Sequence, residues 1–412
     1  MSNKTKILIK KIKRVAFRRV PYGILSWRYF LTEKNKMVKQ HQACFMSIWK
    51  SRSGVLWYLI IFLNFGRWYL FSGWLDIFRL LNKCGKKLSK KHQVSRTRQC
   101  IQLFVLVYGH TIPAKFYYLY RLYQIPEVKW LSFVYTHELP YWHELLSPNR
   151  KAQSLSVLAN KAAFSQLLSK LKLPTVKTYS ILAPYQFDEK ILFSKRDLFI
   201  KPKIGSRMEN CYRLKYINSH DKYMLTKLAN QTVETGKISN AIHLTGKEFI
   251  GKELIGKEIY QSACQQEMLI QPLLYNHQAI FELVNNKEIA TVRVVTKCLD
   301  EQVVVLFAVF EVPLLTKNSH FSVYDIDCQT GLLKNISNCL TDNDCSIDGQ
   351  RLPGWNTIVE LARKAHTAFI DIRYIGWDFA VATDGVKLLE GNFNWSVVPH
   401  MVTIDINNEF CY

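Results

Sequence analysis

Five short runs of apolar and β-branched residues between residues 197 and 313 are typical of strands. They read DLFIKPK, CYRLKY, EMLIQPLL, IATVRVVTK and VVVLFAVFEV. Few of the gaps between them are long enough for a crossover helix, so antiparallel pairing is favoured over parallel βαβ winding. We therefore predict an α+β fold built on antiparallel sheets.

The apolar residues on either side of these strands are spaced as in helices. The first predicted helix runs from Ser154 to Pro174, and its apolar stripe comprises Leu158, Ala162, Leu167 and Leu171. The second covers residues 354–369, with a stripe of Ile358, Leu361, Ala365 and Phe369. A hairpin pattern, GWDFAVATDGVKLLEGNFNWS, follows the second helix over residues 376–396.

This hairpin places three polar residues, Asp378, Glu390 and Asn392, in an otherwise apolar stretch. A three-residue turn at 383–385, with Gly385 in the left-handed conformation, would set Asp378 directly opposite Glu390. Because side chains alternate along a strand, Asn392 joins the same face. The opposite face then supplies a core through Trp377, Phe379, Val381 and Leu389.

Two facing carboxylates repel each other, so a cation is expected between them if the hairpin is partly buried. Two carboxylates and an amide oxygen match Mg²⁺, with Mn²⁺ as a substitute, completed by phosphates and water. The alternative is a surface hairpin with solvated acids. The apolar opposite face and the following WSVVP favour burial over that alternative.

Two cations lie on predicted strands where a Mg-nucleotide would need them. Lys201 ends a strand before a Gly205-Ser206 turn, whose backbone is suited to covering phosphates. Arg293 lies within a β-branched run, an unusual place for an unpaired guanidinium. Either residue alone is equally compatible with a structural ion pair, so the argument depends on their combination with the acids.

The net charge of +24 is concentrated at the N-terminus. Residues 1–100 contain 23 Lys and Arg residues against Glu33 and Asp76, a balance of +21, whereas residues 101–412 balance at +3. A basic module of this kind suits anionic lipid, nucleic acid or an acidic polymer. Nucleic acid is the weaker partner, because no aromatic and basic recognition motif accompanies the charge.

Residues 54–78, GVLWYLIIFLNFGRWYLFSGWLDIF, are the membrane candidate of this module. A spanning helix needs about 20 apolar residues with few charges, whereas Arg67 falls near the middle and Asp76 near the end. A buried helical hairpin or a helix on a membrane surface is therefore favoured over a span. We expect peripheral membrane contact through residues 1–100.

The ten cysteines include no CxxC pair, and the basic N-terminus lacks the continuous apolar stretch of a signal peptide. Both features are typical of reduced thiols in the cytoplasm. The predicted location is therefore the cytoplasm, at the inner face of the membrane.

An internal repeat, GKEFIGKELIGKEIY, covers residues 246–260. Its units begin like a phosphate-binding loop, but Glu253 and Glu258 stand where Ser or Thr would hold Mg²⁺. Carboxylates there would repel phosphate. We interpret the repeat as a charged, solvated helix or hairpin.

Residues from about 110 to 400 resemble the ATP-grasp enzymes, and specifically the sugar-transfer-associated ATP-grasp proteins of polysaccharide biosynthesis. The stretch from Leu352 to Asn394 is the most specific part, because it carries the Asp, then Glu-x-Asn pattern that holds Mg²⁺ in that superfamily. The resemblance implies that Asp378, Glu390 and Asn392 are metal ligands. It also implies Mg-ATP as the nucleotide.

The resemblance assigns further residues to the nucleotide. Lys161 and Lys201 match the two ATP-contacting lysines, and Asn160 stands before Lys161 where the family usually has Asp. EMLIQPLL matches the strand whose main chain faces adenine. The remaining assignments to the nucleotide site are Lys203, Ser206, Glu267, Gln271 and Leu273.

Catalytic roles are expected for Arg293, which matches a strand arginine that reaches phosphate or an acyl phosphate, and for Lys201. The fold class implied is ATP-grasp, with two α+β lobes enclosing a nucleotide. The predicted domains are a basic helical region at 1–100, a helical region at 101–180, a small lobe at 181–275 and a large lobe with the metal site at 276–412.

The function implied is an ATP-dependent carboxylate–amine ligase that forms an acyl phosphate and modifies a cell-surface polysaccharide or its precursor. Its acceptor is expected to be a small molecule or a glycan. An ATP-grasp sugar kinase is one alternative, and a non-catalytic basic adaptor on a membrane surface is another. Release of ADP with free phosphate would separate a ligase from a kinase, and salt-sensitive binding of residues 1–100 to RNA or anionic vesicles would test the adaptor.

Overall fold

The computed structural model describes thirteen stretches of the chain. They are residues 20–21, 23–31, 36–50, 55–205, 210–218, 222–230, 242–243, 248–250, 252–313, 321–335, 347–396, 403–404 and 410–411. Twelve α-helices and fifteen strands occur within these stretches. The helices before the first strand are α1 (Lys36–Lys50), α2 (Val55–Arg67), α3 (Gly73–His92), α4 (Arg96–Phe104), α5 (Lys115–Leu119), α6 (Leu139–Leu146), α7 (Ala152–Ala159) and α8 (Lys161–Lys170).

Helices α2 and α3 are one continuous helix, because a π-helical turn at Trp68–Ser72 joins them without a break. The helical hairpin considered for this segment is therefore wrong. Residues between the two halves keep helical backbone angles, so no loop reverses the chain. Within the described ranges, no helix is both long enough and apolar enough to cross a membrane.

Aromatic side chains dominate the core of the N-terminal helical region. Its fully buried large residues include Trp68, Trp130 and a run of tyrosines, Tyr117, Tyr118 and Tyr120. Buried hydroxyls need partners, and here Tyr117 donates to Gln102 at 2.6 Å and Tyr120 to the carbonyl of Val134 at 3.1 Å. Burial raises the pKa of Tyr117 and Tyr120, which keeps both neutral donors.

A buried acid ties this region together at the start of α6. Glu138 accepts from the backbone N–H of Ile24 at 3.2 Å and lies 2.7 Å from Nδ1 of His41. Next to it, Trp142 packs in a cluster with Phe307 and Tyr374, which lie on strands of the second sheet described below. The helical region is thereby attached to the sheet that carries the candidate site.

The helix predicted from Ser154 to Pro174 is in fact two helices, α7 and α8, separated at Asn160. Asn160 has extended backbone angles, and its side chain accepts hydrogen bonds from the N–H groups of Ala162 and Ala163 at 3.1 and 3.2 Å. Asn and Asp are both strong N-caps. The residue therefore starts a new helix with Lys161 at its first position.

The first sheet contains β1 (Ser180–Leu182), β2 (Leu198–Pro202), β3 (Cys211–Ile217), β4 (Lys222–Asn230), β5 (Ile242–His243), β6 (Glu248–Ile250) and β7 (Met268–Pro272). Its strand order is β1-β7-β2-β3-β4-β5, with β6 also paired to β4, and all of these pairs are antiparallel. Helices α9 (Glu189–Leu192) and α10 (Lys252–Gln265) belong to this lobe. α10 packs Ile255, Ile259 and Ala263 into the core of the sheet.

The described residues of the repeat, 248–250 and 252–260, form β6 and the first part of α10. Glu253 is exposed, which fits the solvated interpretation. Glu258 differs. It receives hydrogen bonds from Lys227 at 2.8 Å and from the Tyr212 hydroxyl at 3.0 Å. It therefore fastens α10 to the sheet rather than facing only water.

The second sheet contains β8 (Thr291–Leu299), β9 (Gln302–Pro313), β10 (Phe321–Ile326), β11 (Leu333–Asn335), β12 (Tyr374–Ala382) and β13 (Gly385–Asn392). Its order is β11-β10-β9-β8-β12-β13, again antiparallel throughout. Helix α11 (Gln278–Val284) precedes it, and α12 (Trp355–His366) covers one face. A small pair, β14 (Thr403–Ile404) and β15 (Phe410–Cys411), lies near the C-terminus.

The β12–β13 hairpin keeps the predicted pairing of Asp378 with Glu390 but reaches it differently. Ala382 pairs with Gly385, so the loop has two residues rather than three, although Gly385 does have the positive φ expected, +104°. A β-bulge between Asp378 and Phe379 then shifts the register by one residue. The shorter loop and the bulge shift the register in opposite directions, so Asp378 still pairs with Glu390.

The same bulge corrects the predicted core. Phe379 pairs with Leu388, and Leu388 rather than Leu389 is buried with Trp377. Leu389 is the extra residue of the bulge and is only half-buried. A bulge re-aims neighbouring side chains, which is why strict alternation misplaced this leucine.

Candidate functional site

Two acids and an amide come together on one face of the β12–β13 hairpin. Asp378 and Glu390 are directly paired across the strands, and the Asn392 side-chain nitrogen lies 3.1 Å from Oδ2 of Asp378 and 3.3 Å from Oε1 of Glu390. Trp377, Phe379 and the rest of the opposite face are buried in the core of the large lobe. The structure therefore brings together the three residues that the sequence predicted as metal ligands.

Arg293 approaches this cluster from the neighbouring strand β8. It is paired with Asp378 in the sheet, and its guanidinium donates from Nε to Oδ1 at 2.7 Å and from Nη2 to Oδ2 at 2.9 Å. The negative charge of Asp378 raises the pKa of Arg293 further, so the guanidinium is permanently charged. A bidentate pair uses two of the five N–H donors of Arg293 and leaves three for another acceptor.

Lys201 belongs to the other lobe, at the end of β2, yet it acts electrostatically on Glu390. Burial lowers the pKa of Lys201, and the negative charge of Glu390 opposes that lowering. Burial and the charge of Asp378 raise the pKa of Glu390, while Lys161 and Lys201 act in the opposite direction. Lys161 and Lys201 therefore lie close enough to Glu390 to act on its charge, although the three residues come from different parts of the chain.

Lys161 is the first residue of α8, directly after the Asn160 cap. Its backbone N–H donates to the carbonyl of Lys203 at 3.1 Å, and its ammonium donates to the carbonyl of Gly205. Asn160 adds an isolated bridge to Ile204. The beginning of α8 is thus fixed against the segment that follows β2, which places Lys161 near Lys201.

Lys203 and Glu267 form a separate pair at the edge of the small lobe. The ammonium of Lys203 lies 2.7 Å from Oε2 of Glu267, and the two backbones are joined at 2.9 Å. The hydrogen bond from Lys203 lowers the pKa of Glu267. Both were predicted at the nucleotide, and the structure places them beside β2 and β7 rather than within the acid cluster. Ser206 lies outside the described residues.

The predicted adenine strand, β7, lies next to β2 in the first sheet. The N–H of Leu273 donates to the carbonyl of Asp197 at 3.0 Å, so in this structure it is committed to the neighbouring strand. Gln271 is buried, and its side-chain amide donates to Thr178 at 3.2 Å. The assignment of Gln271 and Leu273 to the nucleotide stays a prediction.

Sequence reasoning missed two residues of the cleft, Glu311 and Cys211. Glu311 on β9 lies 4.0 Å from Nη1 of Arg293, and burial raises its pKa while Arg293 opposes the rise. Cys211 is the first residue of β3. Because Ile200 pairs with Tyr212, the antiparallel register sets Cys211 opposite Lys201. Burial raises the pKa of the Cys211 thiol to about 12. The sequence offered a signal only for Glu311, which is a lone acid at the end of the apolar run VVVLFAVF.

Behind the hairpin, a chain of buried hydrogen bonds holds Trp377. Its indole N–H donates to Thr296 Oγ1 at 2.6 Å, Thr296 lies 2.6 Å from Nδ1 of His366, and Nε2 of His366 lies 2.8 Å from the carbonyl of Ile372. Since a carbonyl only accepts, Nε2 carries the proton and Nδ1 accepts from Thr296. Burial lowers the pKa of His366 to about 4, which keeps this neutral tautomer.

The donor chemistry of the cluster fits a hard divalent cation. Each carboxylate offers about four lone-pair sites, and at Asp378 Arg293 occupies two of them and Asn392 one. Rotation of the Asn392 amide exchanges its nitrogen for its oxygen, a choice set by the surrounding network. Across the part of the chain that the structure describes, no group of three or more His, Cys, Asp and Glu side chains is arranged as a metal site. One or two carboxylates with phosphate oxygens are the usual ligands of protein-bound Mg²⁺.

Solved structures that resemble this chain include a carboxyaminoimidazole ribonucleotide synthase from Aspergillus clavatus complexed with ATP (14% identity, TM-score 0.34, covering 58% of this chain and 46% of that one). A D-alanyl-alanine synthetase A from Vibrio cholerae is 12% identical, with a TM-score of 0.35 and coverage of 61% and 60%. A 2-oxoglutarate carboxylase biotin carboxylase domain from Hydrogenobacter thermophilus in complex with MgADP is 10% identical, with a TM-score of 0.36 and coverage of 60% and 42%. The matches span about half the length of these chains.

A search of curated proteins finds no match to this chain. The model of one protein family, described as sugar-transfer associated ATP-grasp, matches residues 141–406, which is more than half of the sequence. That range contains both sheets and every residue of the acid cluster and its cations. The chain belongs to the sugar-transfer associated ATP-grasp family.

Proposed function

We propose that the protein is an ATP-dependent ligase that joins a carboxylate to an amine on a cell-surface polysaccharide or its precursor. The observation that carries the proposal is the opposition of Lys201 and Lys161, from the small lobe and α8, to Glu390 and Asp378 in the large lobe. A triphosphate with a divalent cation would neutralise both sets at once. Membership of an ATP-grasp family supports ATP as that ligand.

In this proposal Asp378, Glu390 and Asn392 hold Mg²⁺, and Mn²⁺ can replace it. The cation supplies charge neutralisation at the phosphates. Lys161 and Lys201 neutralise further phosphate charge, and a dry, preorganised site makes each of these interactions stronger than in water. Lys203 and Glu267 remain candidates for the nucleotide at the outer edge of the cleft.

The reaction has two steps that balance without a side-chain nucleophile. A carboxylate oxygen of the donor attacks the γ-phosphorus of ATP, and the bond to ADP breaks. The amine nitrogen of the acceptor then attacks the carbonyl carbon, the bond to phosphate breaks, and the amine loses a proton to solvent. Positioning and electrostatic stabilisation do most of the catalytic work in such transfers.

Arg293 suits the role of stabilising the charge that develops on the reacting oxygens. Asp378 fixes its orientation through two hydrogen bonds, and the three N–H donors that remain point away from that pair. Glu311, at 4.0 Å from Nη1, is beyond hydrogen-bonding distance and supplies a second nearby negative charge. Arg293 therefore stays charged and oriented, and three of its N–H donors are not used by Asp378.

The test is to mix the full chain with Mg-ATP and a panel of nucleotide sugars and amino acids, and to measure the ADP and free phosphate released. A ligase releases ADP and free phosphate in equal amounts only when both the carboxylate and the amine are present. ADP without free phosphate, with the phosphoryl group retained on a sugar, would show a kinase instead. Absence of heat on mixing Mg-ATP with the full chain would overturn the nucleotide site itself.

A further inference from the structure

The continuous helix formed by α2, the π-turn and α3 exposes an unusually apolar outer face. Its exposed residues repeat every four positions from Val55 to Phe78, and each is 40–76% accessible. We call this surface the outer face. It consists of Val55, Tyr58, Leu59, Phe62, Leu63, Leu70, Phe71, Trp74, Leu75 and Phe78.

The π-turn keeps these side chains on one side of the helix. With 3.6 residues per turn, a four-residue spacing drifts by about 40° at each step, so a long stripe would wind around the axis. The π-helical turn at Trp68–Ser72 uses more residues per turn and rotates the second half back. Phe62 and Leu63 before it therefore align with Leu70, Phe71, Trp74 and Leu75 after it.

Among the residues that the structure describes, the core of this region does not use the outer face. The inner side of the same helix is already buried through Ile60, Ile61, Phe65, Trp68 and Ile77. A helix that is apolar on all sides requires a second apolar environment. Contiguous exposed apolar surface of this extent marks an interaction site rather than ordinary scatter.

After Phe78 the exposed positions of the helix keep the same spacing, but they carry mostly lysine instead of apolar residues. The exposed positions of the second half of α3 are Asn82, Lys83, Lys86, Lys87, Lys90 and Lys91. The acid within the stripe region, Asp76, is paired with Arg79 at 2.9 Å. At the junction, Trp74 stacks on Phe78 and packs edge-on against Phe104.

We propose that this helix lies in the surface of an anionic lipid bilayer, with the outer face among the acyl chains and the lysines of α3 on the headgroups. An apolar stripe with Trp at its edge and flanking Lys is the pattern of an interfacial helix. Charge complementarity selects lipid over a second copy, because two N-terminal regions of +21 each repel one another. Nucleic acid would satisfy the lysines but leave ten large apolar side chains in water.

The experiment is co-sedimentation of the full chain with vesicles of phosphatidylcholine alone and of phosphatidylcholine with phosphatidylglycerol. The apolar variant combines Phe62→Ser, Leu70→Ser, Phe71→Ser and Leu75→Ser, and the basic variant changes Lys83, Lys86, Lys87, Lys90 and Lys91 to Gln. Both should weaken binding to the anionic vesicles at least tenfold, and added salt should reduce binding of the wild type. The matched control, Leu254→Ser with Ile370→Ser, removes exposed apolar residues elsewhere and should bind like the wild type.

All substituted side chains are exposed, so unchanged thermal unfolding is expected and separates a lost surface from a lost fold. Wild-type fluorescence should shift to the blue with anionic vesicles, and Trp74→Phe should remove most of that shift. Equal sedimentation of the wild type and the apolar variant would overturn the proposal. A stable dimer of the wild type at sedimentation equilibrium, with the apolar variant monomeric, would assign the outer face to a second copy and overturn the proposal. It would also be overturned if the wild type bound no vesicles while both the wild type and the apolar variant bound RNA.

Discussion

Arg293 holds both carboxylate oxygens of Asp378, with Nε at 2.7 Å from one and Nη2 at 2.9 Å from the other. The two residues lie side by side on β8 and β12, so the sheet register itself sets this geometry. A planar guanidinium is required for such a pair, and a lysine cannot reproduce it. The guanidinium to which we assign the phosphates is therefore oriented by an acid that we also assign to the metal.

The first prediction concerns Arg293→Lys, which retains the charge but loses the bidentate pair. We expect turnover to fall by about 10² or more, as for loss of one oriented donor, with a smaller effect on the Kd of Mg-ATP. Steady-state release of phosphate and calorimetric titration measure the two effects. Arg363→Lys, at an exposed position of α12, is the matched control and should leave both unchanged. Wild-type turnover in Arg293→Lys would contradict the role proposed for Arg293.

The second prediction concerns Glu390→Gln, which keeps the shape of the side chain and removes its charge. Loss of a metal-binding carboxylate should remove several kcal/mol of transition-state stabilisation, so turnover should fall by about 10³ or more. Because burial penalises this carboxylate, the free energy of unfolding should stay the same or rise. Thermal unfolding and phosphate release are measured on the same sample. Glu253→Gln, at an exposed position of α10, should change neither, and a fully active Glu390→Gln would refute the metal assignment.

The Asp378–Glu390 pairing could be predicted from the sequence, but the path of the chain to it could not. Alternation along a strand assumes a constant register, whereas here a shorter loop and a β-bulge each shift it by one residue. The final pairing is correct because the shifts cancel, and Leu389 was misplaced because they act at different positions. Local patterns do not reveal the bulge, whereas the residues that follow it, Leu388 and Phe379, pack against residues distant in the sequence.

The approach of Lys201 to Glu390 could not be predicted either, because it depends on how the two lobes meet. The residues that join the lobes lie far apart in the sequence: the N–H of Thr383 donates to the carbonyl of Tyr275 at 3.1 Å. The guanidinium of Arg213 on β3 forms an ion pair with Glu288. Family resemblance supplied the residue roles, and only the three-dimensional contacts show which groups are already committed.

The third prediction follows from the space around Gly391, which lies between Glu390 and Asn392, the two residues of β13 that we assign to the metal. A Cβ atom at this position would lie 2.7 Å from the indole ring of Trp377 and 2.8 Å from Leu158. Gly391→Ala should therefore lower the free energy of unfolding by about 1–3 kcal/mol through overpacking and also disturb Glu390 and Asn392. Urea unfolding measures the first effect and Mg-ATP titration the second.

Gly66→Ala provides a control of opposite sign for this substitution. Its Cβ would meet no atom within 4 Å, and it lies inside helix α2. Ala is favoured over Gly there by up to about 1 kcal/mol, so stability should rise. Equal behaviour of the two alanine variants would show that the space beside Trp377 does not restrict position 391.

The fourth prediction concerns Lys201→Met, which replaces a buried cation by an apolar side chain of similar length. Burial lowers the pKa of Lys201, so its charge costs folding free energy. The variant should therefore be at least as stable as the wild type, while its Kd for Mg-ATP should increase tenfold or more. Lys170→Met, at the exposed end of α8, should alter neither quantity. Unchanged nucleotide affinity in Lys201→Met would make Lys201 a structural residue.

The last prediction is a pH dependence that originates at Glu390, whose pKa is raised above 4.5 by burial and by Asp378. A carboxyl that holds its proton more tightly when folded stabilises the protein fully below its unfolded pKa, and this stability is lost as the pH rises through the raised value. Without nucleotide, the free energy of unfolding of the wild type should therefore fall relative to Glu390→Gln from about pH 4.5 upward. Mg²⁺ with ATP binds the ionised form, so its affinity should increase over the same range and offset the loss. Urea unfolding of both proteins at a series of pH values, with and without Mg-ATP, measures these opposing slopes. Parallel curves for the two proteins would mean that Glu390 ionises in the folded chain as it does in the unfolded one, and that no cation is needed to hold its charge.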